Sequence, residues 1–182
     1  MPRISHSIYS SHNRRFFFIT YNKMPVTENV LSMLAGYSIS LIPPYHDRSK
    51  GKASALIVGC IDPRYSNDLN HYLTHSLELH ADYDLINFAG ASIGILSKPN
   101  WAEMFWEHLD LAKSLHGITE VHCFNHLDCG MAKATFQLEK DDKPELHLQQ
   151  MRFLQEAIKN RNPELTFKGF LITQYGVISQ VI

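Results

Sequence analysis

From residue 54 onward, apolar and polar positions fall into blocks that read as strand and helix in alternation. Ala55-Leu56-Ile57-Val58 is a short continuous apolar run, the pattern of a strand buried on both faces. Over 66–80, Leu69, Tyr72, Leu73, Leu77 and Leu79 recur near helical spacing after Ser66, which has an N-cap side chain, so the spacing predicts a helix. A second strand fits 83–88 and closes on the glycine-bearing turn Ala89-Gly90-Ala91-Ser92. A long helix is predicted over 99–116, with Pro99 near its start and Gly117 just past its end. Its Trp101, Met104, Phe105, Leu111, Ala112 and Leu115 form the stripe expected to enter the core.

A third strand is expected at 118–124, a helix at 145–159 opened by Pro144, and a fourth strand at 167–173. A fifth strand, 177–182, follows a turn at Tyr175-Gly176. Strands alternating with helices of about ten or more residues require crossover connections. The expected fold class is therefore α/β, a mostly parallel central sheet of four to five strands with helices on both faces.

Residues 1–50 break this rhythm. Arg3, Arg14, Arg15 and Lys23 all precede the first acid, Glu28, and Ser and His are frequent. This stretch reads as a tail or helical arm, disordered in part, leaving 51–182 as the folded domain. Its composition suits an organelle transit peptide, and translation starting at Met24 explains it equally well. The run Phe16-Phe17-Phe18-Ile19 is too short for a secretory signal, and a weakly helical pattern over 31–41 closes at Pro43 and Pro44.

Composition narrows the partners. No stretch approaches the roughly 20 apolar residues of a membrane span. A formal net charge of −1 gives no pull toward nucleic acid or anionic lipid, so a small molecule is the expected partner. Three cysteines are too few and odd in number for a disulfide scaffold. Metal binding or plain burial remain as their uses, in a reducing compartment, expected to be the cytoplasm.

The chemistry concentrates at the ends of the first and third predicted strands, in Cys60-Ile61-Asp62-Pro63-Arg64 and His126-Leu127-Asp128-Cys129-Gly130. Ligands of open α/β sheets sit at the carboxyl ends of strands, so these segments can meet in space. Two thiolates and one imidazole suit zinc, and three protein ligands leave the fourth position for water or substrate. Each segment alone is a weak signal, since a single cysteine after a strand is usually a small buried hydrophobe. A different use of the same residues is a thiol enzyme with Cys60 as nucleophile and His126 as its base.

Taken together, the two segments resemble the metal-site motifs of the β-carbonic anhydrases, Cys-x-Asp-x-Arg and His-x-x-Cys followed by Gly. The strand Asp84-Leu85-Ile86-Asn87-Phe88-Ala89-Gly90 is similar to the family strand that ends in an Asn-Ala-Gly turn, and Lys168-Gly169-Phe170 to Gly176-Val177 is similar to its final hairpin. The resemblance runs from about residue 54 to the end of the chain. It implies a zinc lyase that hydrates carbon dioxide reversibly to bicarbonate, as a homodimer or tetramer with the site near the subunit interface. Cys60, His126 and Cys129 would be the zinc ligands, Asp62 would accept a hydrogen bond from the zinc-bound water, and Arg64 would pair with Asp62. Zinc lowers the pKa of bound water toward about 7, but two thiolates weaken that effect, which gives a carboxylate held beside the metal a purpose. In some members the aspartate swings onto zinc and closes the site.

The sequence also departs from the pattern. The family turn usually reads Arg-Asn-Ala-Gly-Asn, and here it is Asn87-Phe88-Ala89-Gly90-Ala91. Phe88 is expected near the pocket, where it would not oppose carbon disulfide or carbonyl sulfide, substrates of relatives with this metal site. A noncatalytic zinc-binding homologue is the other reading that the substituted turn allows. Among the remaining candidates, Cys123 is expected to be structural, and Asp128 either bonds a neighbouring loop or is a solvated turn acid. His71, His75 and His80 read as solvated helix residues with a proton shuttle as the functional alternative. His122 is expected to pack or hydrogen-bond on its strand.

Overall fold

A computed structural model describes residues 51–80, 82–139 and 143–182. The tail and the helical pattern at 31–41 lie outside the described residues. Among the described residues five strands form one sheet: β1 (Ala55–Cys60), β2 (Tyr83–Phe88), β3 (Glu120–His126), β4 (Thr166–Ile172) and β5 (Ile178–Gln180), in the order β2-β1-β3-β4-β5. The first four run parallel, and β5 returns antiparallel to β4 through the turn at Gly176, whose φ of 75° is open to glycine. The mostly parallel α/β sheet expected from the pattern is thus the fold observed.

Strand order decides where a ligand can sit. The connection from β1 to β2 leads to one side of β1, and the next leads back across it to β3 on the other side. The carboxyl ends of β1 and β3 therefore flank the point where the winding reverses, the usual crevice of an open α/β sheet.

Helices cover both faces. On one face α1 (Ser66–His75) sets Leu69 and Leu73, with Tyr65 before it, against Ala55, Ile57, Phe124, Phe170 and Ile172. The rings of Phe124 and Phe170 stack there with centroids 4.4 Å apart. The other face carries α2 (Ser92–Ser97), α3 (Pro99–Leu111, prolonged by a π turn at Ala112–His116) and α5 (Pro144–Arg161). Phe105 and Leu109 of α3 and Met151, Leu154 and Ile158 of α5 meet Leu56, Val58 and Val121 of the sheet. The fifth helix, α4 (Gly130–Phe136), follows β3.

Several expectations are corrected. The helix predicted over 66–80 stops at His75, because the N–H groups of Ser76 and Leu77 both turn back to the Tyr72 carbonyl and Glu78 takes φ 53°. Leu77 and Leu79 still pack on that core, so their spacing continues after the helix has ended. Ser66 is inside α1 rather than its cap. Capping falls on Asp62, whose Oδ1 accepts from the Arg64 N–H at 3.0 Å and opens a 3-10 turn, Pro63–Tyr65.

Of the stripe expected on α3, Trp101, Phe105 and Ala112 pack on the core, and Leu109 joins them in place of three residues that face outward. Phe105, Leu109 and Ala112 point inward at i, i+4 and i+7, whereas Met104, Leu111 and Leu115 are exposed by 39%, 52% and 60%. The short helices α2 and α4 were not expected, being too brief to show a period. Both β1 and β3 run two residues beyond the predicted ends, which makes Cys60 and His126 the last residues of their strands.

Candidate metal centre

Three segments bring the donors together. Cys60 ends β1, His126 ends β3, and Cys129 immediately precedes α4, after a loop that reverses at Asp128 with φ 59°. One ligand atom from each lies within 4.8 Å of the others. Donors bound tetrahedrally to one ion at zinc distances stand roughly 3.5–4 Å apart, so the spacing fits such an ion.

The orientation of His126 supports the fit. Its ring is buried, at 2% exposure, with Tyr65 packed beside it at 4.3 Å between centroids. Nδ1 donates to the Leu127 carbonyl at 2.8 Å, and the Tyr65 hydroxyl donates to the same oxygen at 3.3 Å. This places a proton on Nδ1 and turns Nε2 toward the cysteines, where it makes no hydrogen bond of ordinary geometry. A buried imidazole nitrogen without such a bond, facing two thiols, is what a soft divalent cation would satisfy.

Charge is already prepared on the sulfurs. The Cys129 thiol beside it draws the Cys60 pKa down to about 4, helped by His126 and by the backbone N–H groups of Gly90 and Asp62, and these outweigh burial. Cys129 is pushed up by the Cys60 thiolate and by burial. Burial alone would lower His126, but the Cys60 thiolate, the Leu127 carbonyl and the charge of Asp62 reverse the direction. Without a metal, one negative charge is thus shared by the thiol pair, and a bound cation is the group that would let both sulfurs ionise.

Beside the donors, Asp62 is held by Arg64, whose Nε and Nη2 meet both of its oxygens at 2.7–3.2 Å. The guanidinium holds the carboxyl below the usual carboxylate range. Asp62 Oδ2 stands 3.8 Å from His126 Nε2, which brings the predicted acid to the donor set.

The geometry adds residues that the motifs did not single out. Arg64 Nη1 donates to Asp128 Oδ2 at 2.9 Å, Nη2 donates to the Asp128 carbonyl at 3.0 Å, and Lys133 pairs with Asp128 from α4. Lys133 first and Arg64 second draw the Asp128 pKa down to about 2. Asp128 therefore belongs to the ion network, the first of its two expected roles. The sequence signal for it was its place between two donors; nothing marked Lys133.

A cavity of about 180 Å³ opens on the donors from the α1 face. Cys60 and His126 lie at its floor, with Tyr65, Leu69, Leu85, Phe124 and Ile172 as apolar walls and Ser66, Asn70 and Asn87 as neutral polar groups. Phe88, expected near this pocket, is on the opposite face of the sheet, 3% exposed and packed near Trp101 at 6.2 Å. The pleat sends Asn87 to the cavity and its neighbour Phe88 away. His71, His75 and His80 are exposed, and none lines the cavity. Cys123 is fully buried, where burial pushes its thiol up to about 12, and His122 Nε2 meets Glu120 Oε2 at 2.6 Å.

Comparison with known proteins gives the chain a family. The family described as "Putative carbonic anhydrase" matches residues 50–182. An uncharacterized protein of Rickettsia bellii is 26% identical over 142 residues, covering 75% of this chain and 86% of that protein. One of Rickettsia conorii is 24% identical over 142 residues, covering 75% of this chain and 76% of its own length. Among solved structures, a carbonic anhydrase from Glaciozyma antarctica aligns over 85% of this chain and 93% of that chain, with 18% identity and a TM-score of 0.47. A tetrameric β-carbonic anhydrase of Sordaria macrospora aligns over 73% and 83%, with 14% identity and a TM-score of 0.46. Because that family matches more than two thirds of this chain, the chain belongs to the family described as "Putative carbonic anhydrase".

Proposed function

We propose that this protein is a zinc lyase that catalyses the reversible hydration of carbon dioxide to bicarbonate. The observation that carries the reading is the convergence of Cys60, His126 and Cys129 within 4.8 Å, with Asp62 held by Arg64 at their edge. Zinc at these donors would supply a Lewis acid that acidifies water near neutral pH.

The chain's own groups do the rest. Leu127 and Tyr65 fix the His126 ring so that Nε2 faces the cysteines. Asp62, kept ionised by Arg64, offers Oδ2 to accept a hydrogen bond from a water beside the donors and so to orient it. Arg64 restrains that carboxylate through a bidentate contact, which prevents it from becoming a donor itself. The apolar walls favour a small neutral substrate over bulk water, and the same walls would admit carbon disulfide or carbonyl sulfide, which is the second reading.

The reading extends to assembly and place. Ile61 beside Asp62 is 62% exposed and Leu85 at the cavity rim is 47% exposed, an apolar surface next to the site that a homodimer or tetramer would cover. Among the described residues no helix is long and apolar enough to cross a membrane. The three cysteines are free, which suits a reducing cytoplasm.

Elemental analysis combined with stopped-flow assays of carbon dioxide hydration across pH tests the function. About one zinc per chain and hydration well above the buffer rate are expected. Zinc-loaded protein that hydrolyses carbon disulfide but leaves carbon dioxide untouched would select the second reading. Loaded protein inactive on every substrate would leave a noncatalytic homologue.

A further inference from the structure

Behind the donor set, on the sheet face turned away from the cavity, four polar side chains meet. Ser92, Cys123, Asn125 and His147 are each at most 1% exposed. A buried amide in an apolar core is destabilising unless its groups are partnered, so its partners show what it holds in place. Asn125 Oδ1 accepts from the Ser92 backbone N–H at 3.3 Å, and the Ser92 hydroxyl stands 3.0 Å from the same oxygen. At the other end of the amide, Nδ2 stands 2.8 Å from Ser92 Oγ and 3.4 Å from His147 Nδ1. The amide thus clamps the start of α2 to β3, with α5 behind it.

What the clamp holds is the turn between β2 and α2. Gly90 takes φ 77° and Ala91 takes φ 47°, the second an unfavourable conformation for alanine that the surroundings must enforce. Bonds from Ala91 N–H to the Phe88 carbonyl and from Ile93 N–H to the Gly90 carbonyl, both 3.0 Å, tighten it. The turn aims the Gly90 N–H at Cys60 Sγ, 3.2 Å away. A Cβ on Gly90 would stand 2.8 Å from Cβ and Cγ of Met131, two residues past Cys129, so the turn is confined from the donor side as well.

We propose that Ser92 and Asn125 are positioning residues for the metal-binding sulfur of Cys60. Their buried clamp fixes the 88–92 turn so that Gly90 N–H donates to Cys60 Sγ and sets how much charge that sulfur gives a metal. The inference rests on the metal-site reading above, in which Cys60 is a ligand. Asn125 also immediately precedes His126, so one side chain registers two of the three donors. The chemistry has a purpose in a site with two thiolates. Sulfur ligands donate strongly and blunt the acidity of the metal, and a hydrogen bond to one of them withdraws part of that charge.

Cobalt loaded into the full-length chain reports on the Cys60–metal bond through its thiolate-to-cobalt charge-transfer absorption, and chelator competition reports affinity. Ser92→Ala and Asn125→Ala are each expected to move that absorption to lower energy and to weaken cobalt binding by about 10–100-fold. The double variant is expected to go no further than the more severe single one, because both remove the same clamp. Should Asn125→Ala fail to fold, Ser92→Ala, which removes a single oxygen atom, carries the test. An unmoved absorption would overturn the proposal, even where affinity or the melting temperature of the metal-free protein falls, because the pair would then serve packing alone. Wild-type protein that takes up no cobalt would refute the metal-site reading itself and this inference with it, a different result from a silent variant.

Discussion

Arg64 is shared between two carboxylates: Nη1 donates to Asp128 at 2.9 Å while Nε and Nη2 hold Asp62 at 2.7–3.2 Å. The planar fork of the guanidinium fixes both acids at once. Asp62 Oδ2 is already 3.8 Å from His126 Nε2, so in the proposed reading this contact would keep the carboxylate beside the donors and not among them.

Arg64→Ala is therefore expected to release Asp62 into the donor set and to abolish binding of exogenous anions such as azide. Adding Asp62→Asn to that variant is expected to restore anion binding, read by titration of the cobalt-substituted protein. Equal azide affinity in the single and double variants would show that Asp62 does not close the site. Asp62→Asn alone is expected to keep its metal while turnover falls by about 100-fold or more, the usual scale of a lost acid–base group.

Removing a donor acts differently. Cys60→Ser, His126→Ala and Cys129→Ser are each expected to reduce zinc far below one per chain, since among the described residues three protein donors converge here. A chelator is expected to lower the melting temperature of the wild type and to leave that of the three variants unmoved, because metal bound to the native state stabilises it by mass action. Full zinc in all three variants would remove the assigned ligand set.

The inward face of α3 gives a stability test. Leu109→Ala, at a fully buried position, is expected to cost about 2–5 kcal/mol. Leu111→Ala and Leu115→Ala, more than half exposed, are expected to stay within about 0.5 kcal/mol. On the neighbouring α2, Gly94→Ala would set a Cβ 2.1 Å from the Ala89 carbonyl oxygen, and a loss of roughly 1–3 kcal/mol is expected. Denaturant unfolding measures all four, and a Leu111→Ala loss as large as that of Leu109→Ala would contradict the observed face.

These positions also show what a sequence can reveal. Strands buried on both faces, such as β1, read as unbroken apolar runs, and motifs at strand ends mark the donors because sheet topology brings those ends together. The face of α3 was legible only in part: Trp101, Phe105 and Ala112 turn inward as expected, but Met104, Leu111 and Leu115 are equally apolar and only packing sends them outward. Phe88 was misplaced for a related reason: its direction depends on the phase of the pleat, which strand register sets. The Asp128–Lys133 pair and the Ser92–Asn125 clamp join residues across a loop reversal and across the sheet, and neither leaves a period or spacing to find.

His122 supplies the last prediction. Its ring is 2% exposed, Nε2 meets Glu120 Oε2 at 2.6 Å, and Lys168 Nζ meets the same oxygen at 2.8 Å. Burial lowers its pKa below the ordinary 6.5, with the Lys168 charge adding to that direction and the Glu120 carboxylate opposing it. A histidine kept neutral in the native state binds fewer protons there than in the unfolded chain. Its contribution to stability is therefore intact above about pH 6.5 and falls as the solution is acidified from there toward the lower native pKa. Glu120, itself drawn below the ordinary 4.5 by Lys168 and His122 against burial, adds a further loss at more acid pH. The comparison is with a variant that changes this one group and leaves the rest of the chain as it is. His122→Gln keeps polarity but does not titrate, and its stability is expected to fall less steeply than the wild type between pH 7 and pH 5.5. The measurement is denaturant unfolding of the metal-free form of both proteins, which keeps metal release out of the slope. Parallel pH dependences in the two proteins would show that His122 takes up its proton as readily folded as unfolded.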